Sequence, residues 1–148
     1  MIKFSTLLIS YFGLFLMNIF TAEDVSIKNN LPAMVEPGTK SLVEMTIEKG
    51  AIQGFSKLEL AAPTGFTISA ADVKGASFTF SNQQAKFVWM TLPSEASFTI
   101  TYYIESEITI EGPFDIDGTF SYVKENKRLD IKIPAKTIIV KKGVGPTP

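Results

Sequence analysis

After residue 22 the chain never sustains a helical period. Short runs of alternating apolar and polar residues recur instead, each closed by Gly, Pro or Asn. Phe98, Ile100, Tyr102 and Ile104 alternate with Thr99, Thr101, Tyr103 and Glu105. Val43, Met45 and Ile47 alternate with Glu44, Thr46 and Glu48, and Leu58 and Leu60 with Lys57 and Glu59. A period of two puts one set of side chains on each face of a strand, so each run predicts a strand with one buried face. Further runs are Val25-Ile27, Phe66-Ile68, Ala76-Phe78-Phe80, Ile116-Gly118-Phe120-Tyr122 and Leu129-Ile131-Ile133. Turns are expected at Glu36-Pro37-Gly38-Thr39, Pro63-Thr64-Gly65, Ser81-Asn82-Gln83-Gln84 and Lys124-Glu125-Asn126-Lys127, where Pro presets φ and Gly or Asn accepts positive φ. Ala70 to Lys74 reads as a loop or one short helical turn, and Gly112-Pro113 and Pro134 read as breaks. About nine short strands at roughly ten-residue spacing predict one all-β sandwich. Strand order stays open between immunoglobulin-like and jelly-roll topologies.

The 148 residues suit one domain, long enough to bury a core without staples. Cysteine and histidine are both absent. That excludes disulfides, Cys/His zinc sites, Ser-His-Asp triads and Cys-His dyads. It also excludes a lipid attached to an N-terminal cysteine. Acid–base chemistry would rest on carboxylates, Lys or Tyr. Lys+Arg is 14 against 15 Asp+Glu, so no basic field draws nucleic acid.

Residues 1–22 read as a signal peptide. Lys3 supplies the positive start, Phe4 to Phe20 form an apolar run, and Ala22 precedes Glu23-Asp24. The alternative is an uncleaved anchor, although a comfortable membrane span takes about 20 residues. Residues 23–140 then form the sandwich, and 141–148 a flexible tail. The expected location is outside the cytoplasm, in a periplasm or at the cell surface. Membrane contact would come only through an uncleaved N-terminal segment.

Lys86 to Pro93, KFVWMTLP, holds the one tryptophan and has apolar residues on both faces. Phe87, Trp89 and Thr91 form one set, and Val88, Met90 and Leu92 the other. Trp89 shares its face with Phe87 and is expected in the core. The alternative leaves it exposed for a ligand. With Trp89 in the core, Val88 and Met90 become the candidate partner-binding pair, since Met adapts to varied surfaces. A carbohydrate-binding module would instead stack sugar rings on Trp89 and Tyr103.

No residue is assigned to catalysis, a metal or a cofactor. Asp115-Ile116-Asp117-Gly118 echoes half of a calcium loop, but Asn126 falls where the twelfth-position Glu belongs. Glu105, Glu107 and Glu111 read as a solvated edge, with no insertion to build a cleft around them. Lys49-Gly50 and Lys141-Lys142 read as isolated basic spots, the latter as an edge guard.

Over residues 35–123 the order of landmarks resembles an immunoglobulin-like or cohesin-like β-sandwich of Bacteroidota cell-envelope proteins. The matching stretches are Glu36-Pro37-Gly38, Glu48-Lys49-Gly50, Gly54 to Leu58, Pro63 to Phe66, Gly75 to Phe78, Lys86 to Met90, Leu92-Pro93 and Phe98 to Tyr102. The resemblance implies a noncatalytic assembly or binding role in the cell envelope, with a protein partner. It brings no catalytic residues and no cofactor.

Overall fold

The computed structural model describes residues 25–143. The signal-peptide segment and residues 144–148 of the tail lie outside the described residues. Ten strands run in order: β1 Ser26–Asn30, β2 Met34–Val35, β3 Lys40–Glu48, β4 Ser56–Ala61, β5 Phe66–Ala70, β6 Ser77–Ser81, β7 Gln84–Trp89, β8 Ser97–Ser106, β9 Gly112–Lys124 and β10 Lys127–Val140. They form two sheets, β1-β3-β8-β5 and β2-β10-β9-β4-β7-β6. The chain is an all-β sandwich.

The alternation seen in the sequence sets which face each strand buries. Val43, Met45 and Ile47 from β3, Leu58 and Leu60 from β4, and Ile100, Tyr102 and Ile104 from β8 are all buried. A one-residue slip would turn each set outward, so burial fixes the register. Gly118, on the inward face of β9, lies where β4 approaches closely. A Cβ there would run into the Glu59 carbonyl oxygen and come within 2.8 Å of Leu60 Cδ2.

Trp89 sits at the hub of the core and is 1% exposed. Its ring lies 5.8 Å from Phe98 and 6.5 Å from Phe120, within the range of favourable aromatic pairs. Its indole N–H donates to the Lys74 carbonyl oxygen at 3.1 Å, so the ring is buried with its polar atom satisfied. Truncating such a side chain to Ala typically costs about 3–5 kcal/mol.

Several local expectations need correction. Strand β7 ends at Trp89, so the alternation stops there: Leu92 is buried and Thr91 exposed. Gly112-Pro113 does not break the chain but opens β9, where only β10 is a neighbour and a missing N–H costs the ladder little. Pro134 does not split β10. It sits in a bulge between Ile133 and Lys136, and pairing with β9 resumes beyond it. Of Ala70 to Lys74, Ala70 belongs to β5, and Ala71 to Lys74 take the loop reading of the two offered. Lys49 is no surface spot: it is 1% exposed, and its ammonium donates to the Ile52 carbonyl at 2.9 Å. The two-residue β2, parallel to the end of β10, was not foreseen.

Candidate protein-binding face

The outer face of the six-stranded sheet is a grid fixed by register. Val88 of β7, Lys57 of β4, Ser121 of β9 and Asp130 of β10 lie side by side across it. The next row towards the end of the sheet begins one residue past the Ser56–Trp89 and Ser56–Tyr122 pairs. Val123 is paired there with Arg128, Phe55 immediately precedes β4, and Met90 immediately follows β7. The Leu92 N–H donates to the Gly54 carbonyl at 3.1 Å, which ties the two ends together.

This row is apolar and open. Met90 is 78% exposed, Phe55 46% and Val123 38%. Half-buried Val88 extends the patch inward. A single exposed apolar residue needs no explanation, whereas several on one sheet face are a candidate interaction site. Phe55, Val123 and Arg128, with Lys57 and Ser121, also line a shallow pocket of about 70 Å³.

Charges frame the row. Arg128 Nε–H donates to Asp130 Oδ1 at 3.2 Å, and its Nη2 donates to Ser121 Oγ at 3.3 Å. A hydrogen bond from Ser121, with the Arg128 charge beside it, holds the Asp130 carboxyl below the usual carboxylate range. Lys57 pairs with Glu59 at 2.8 Å. The arrangement is an apolar strip with a polar rim, the usual anatomy of a protein interface.

The four residues singled out from the sequence scatter across three environments. Val88 and Met90 lie on this face. Trp89 points the other way, into the core, and is not available to a ligand as it stands. Tyr103 lies on the outer face of the other sheet, half-buried, with Lys40 Nζ 4.8 Å from its ring centroid. It cannot join Val88 and Met90 in one site. Phe55 and Val123 were missed, although parity would have found both. Counting back by two from outward Lys57 reaches Phe55, and counting one past inward Tyr122 reaches Val123.

Asp115 and Asp117 are both exposed on β9, and Asp115 accepts a hydrogen bond from the Thr137 hydroxyl. Glu105, Glu107 and Glu111 are exposed as well. Among the described residues no three His, Cys, Asp or Glu side chains gather as metal ligands.

No family model and no curated protein matches the chain. Solved structures do resemble it. A cohesin from the CaDoc0917–CaCohA2 complex has a TM-score of 0.51 at 12% identity, over 78% of this chain and 100% of that one. The non-cellulosomal cohesin of the hyperthermophilic archaeon Archaeoglobus fulgidus gives 0.51 at 11% identity, over 82% of this chain and 94% of that one. The GH20 exo-β-N-acetylglucosaminidase of Vibrio harveyi gives 0.51 at 10% identity over 84% of this chain. The chain spans only 20% of that enzyme's length. At these identities the likeness carries the fold.

Proposed function

We propose that this chain is an exported, noncatalytic binding domain that holds a protein partner in the cell envelope. The observation that carries the reading is the exposed apolar row of Met90, Phe55 and Val123 with its charged rim. The cohesin neighbours support it, because one of them was solved in a complex. Buried anchors in a central apolar cluster supply most of the affinity of such contacts. Met90 and Phe55 are the anchors in this reading, and Arg128 recognises a carboxylate or carbonyl at the rim.

The test is a cross-linked pull-down of the tagged chain from its native envelope, followed by mass spectrometry. Met90→Asp places a charge at the β7 end of the row without touching the core. The expected result is a stoichiometric envelope protein retained by the wild type. Met90→Asp should reduce its recovery at least tenfold and leave the melting temperature unchanged. Equal recovery with both chains would remove this face from the reading.

A further inference from the structure

Among the described residues the two sides of the sandwich end in free strand edges that are guarded unequally. On one side stand β1 and β10, the end of β10 being covered by the two-residue β2. β1 carries Lys28, and its Asn29 carbonyl accepts a hydrogen bond from Lys136 Nζ at 3.2 Å. β10 carries Lys127, Arg128 and Lys132 and is bulged at Pro134. On the other side stand β5, Phe-Thr-Ile-Ser-Ala, and β6, Ser-Phe-Thr-Phe-Ser. Neither has a charge, a proline or a bulge. Charges, prolines and bulges are how sheets discourage edge pairing, and their absence leaves an edge open to another strand.

β6 also reads the same in both directions. We propose that β6 pairs antiparallel with β6 of a second copy of this chain, across a two-fold axis at Thr79, joining two six-stranded sheets into one. A two-fold interface sets the same surface against itself, and a palindromic edge strand is self-complementary by construction. Phe78 of one copy then faces Phe80 of the other, and Thr79 faces Thr79. Aromatic–aromatic and Thr–Thr cross-strand pairs are both favourable.

The backbone agrees with this register. The turn to β7 has two residues, Asn82 and Gln83, with φ of 52° and 59°. A turn of that kind makes Ser81–Gln84 a hydrogen-bonded pair. Alternation then directs the N–H and C=O of Thr79 inward to β7 and those of Phe78 and Phe80 to the free edge. The proposed register brings together the residues whose bonding groups face out. Sliding by two residues would set Phe80 against Ala76, whose N–H is already given to the Val73 carbonyl at 3.2 Å. Sliding the other way would set Phe78 against the turn residue Asn82.

Side chains and charge agree too. Phe78 and Phe80 sit on the inward side yet are only half-buried, and a second copy would cover their open flank. Lys86 is the residue paired with Thr79 on β7. Two copies of it would stand three strand spacings apart, roughly 14 Å, beyond the screening length of about 8 Å at physiological salt.

Sedimentation equilibrium of the purified chain tests this, with Thr79→Lys and Thr79→Glu as variants. Thr79 is exposed, so neither disturbs the core. The average mass of the wild type should rise from one chain towards two between micromolar and millimolar concentration. Each variant alone should stay at one chain, because like charges meet on the axis. An equimolar mixture of the two should associate again. The register has its own test, since the chain contains no cysteine. Thr79→Cys should oxidise to a covalent dimer. Ser77→Cys alone should not, because it faces Ser81 of the other copy, but mixed with Ser81→Cys it should. A wild type of one-chain mass at millimolar concentration would overturn the proposal. So would unimpaired association of Thr79→Lys, or a wild type that stays single and captures a strand of a different protein on this edge.

Discussion

Tyr102 is wholly buried, yet its phenol O–H reaches one acceptor, Asn29 Oδ1, at 2.7 Å. Burial pushes the phenol's pKa well up, and the Asn29 contact opposes this only in part. In the unfolded chain the same phenol titrates near the ordinary value of about 10. Below that pH both states hold the proton and the contribution to stability is complete. Above it the unfolded chain loses the proton first and so binds fewer than the native state. Stability therefore falls as pH rises, by up to about 1.4 kcal/mol per pH unit from this group. Tyr102→Phe removes the titration and one hydrogen bond. It should cost about 1 kcal/mol at pH 8. The difference from wild type should shrink and then reverse as the pH passes about 10. Urea unfolding of both chains at pH 8, 10 and 11 measures it, and a constant gap across that range would contradict the assignment.

At the scale of elements, the tight turns are where local conformation and local sequence agree least. The β9–β10 hairpin turns through Glu125 and Asn126, with φ of 52° and 61°. That is the pattern in which both central residues take positive φ, and Asn-Gly is its preferred sequence. Glu has no special tolerance for this conformation. Replacing the pair by Asn-Gly should raise stability by roughly 1 kcal/mol, read as a higher urea midpoint at unchanged slope. The Asn82-Gln83 turn looks similar but should respond the other way to Gln83→Gly. There the Gln83 amide donates to the carbonyls of Pro63 (2.8 Å) and Phe66 (3.0 Å), linking the two sheets. The same division explains what was legible in advance. Strand faces could be read because burial repeats every second residue, and Val43, Leu58 and Ile100 obey that rule. β2 could not, because a two-residue parallel strand leaves no period. Pro113 and Pro134 read as breaks, because sequence does not say which strand has a free side or a bulge. Val88 and Met90 could be placed opposite Trp89 because they are out of phase with it. Phe55 joined them only when the register set β4 beside β7.

For the whole molecule, the same sheet presents two surfaces of different kinds. In the proposed roles the apolar row would work through side chains, and the β6 edge through backbone. Thr79 is paired with Lys86, and Met90 lies four residues further along and one strand across. Strand geometry puts them roughly 14 Å apart. Effects at sites more than about 7–10 Å apart with no shared partner add. The substitutions should therefore separate the two activities. Thr79→Lys should abolish self-association and still retain the envelope protein. Met90→Asp should lose the envelope protein and still self-associate at the wild-type concentration. The double variant should lose both, with no further effect on either. Loss of both activities from Thr79→Lys alone would mean that partner binding requires two copies side by side. The row would then be half of a site completed across the two-fold axis. The assay that decides is partner recovery measured against chain concentration: a linear rise marks one chain per site, and a quadratic rise marks two.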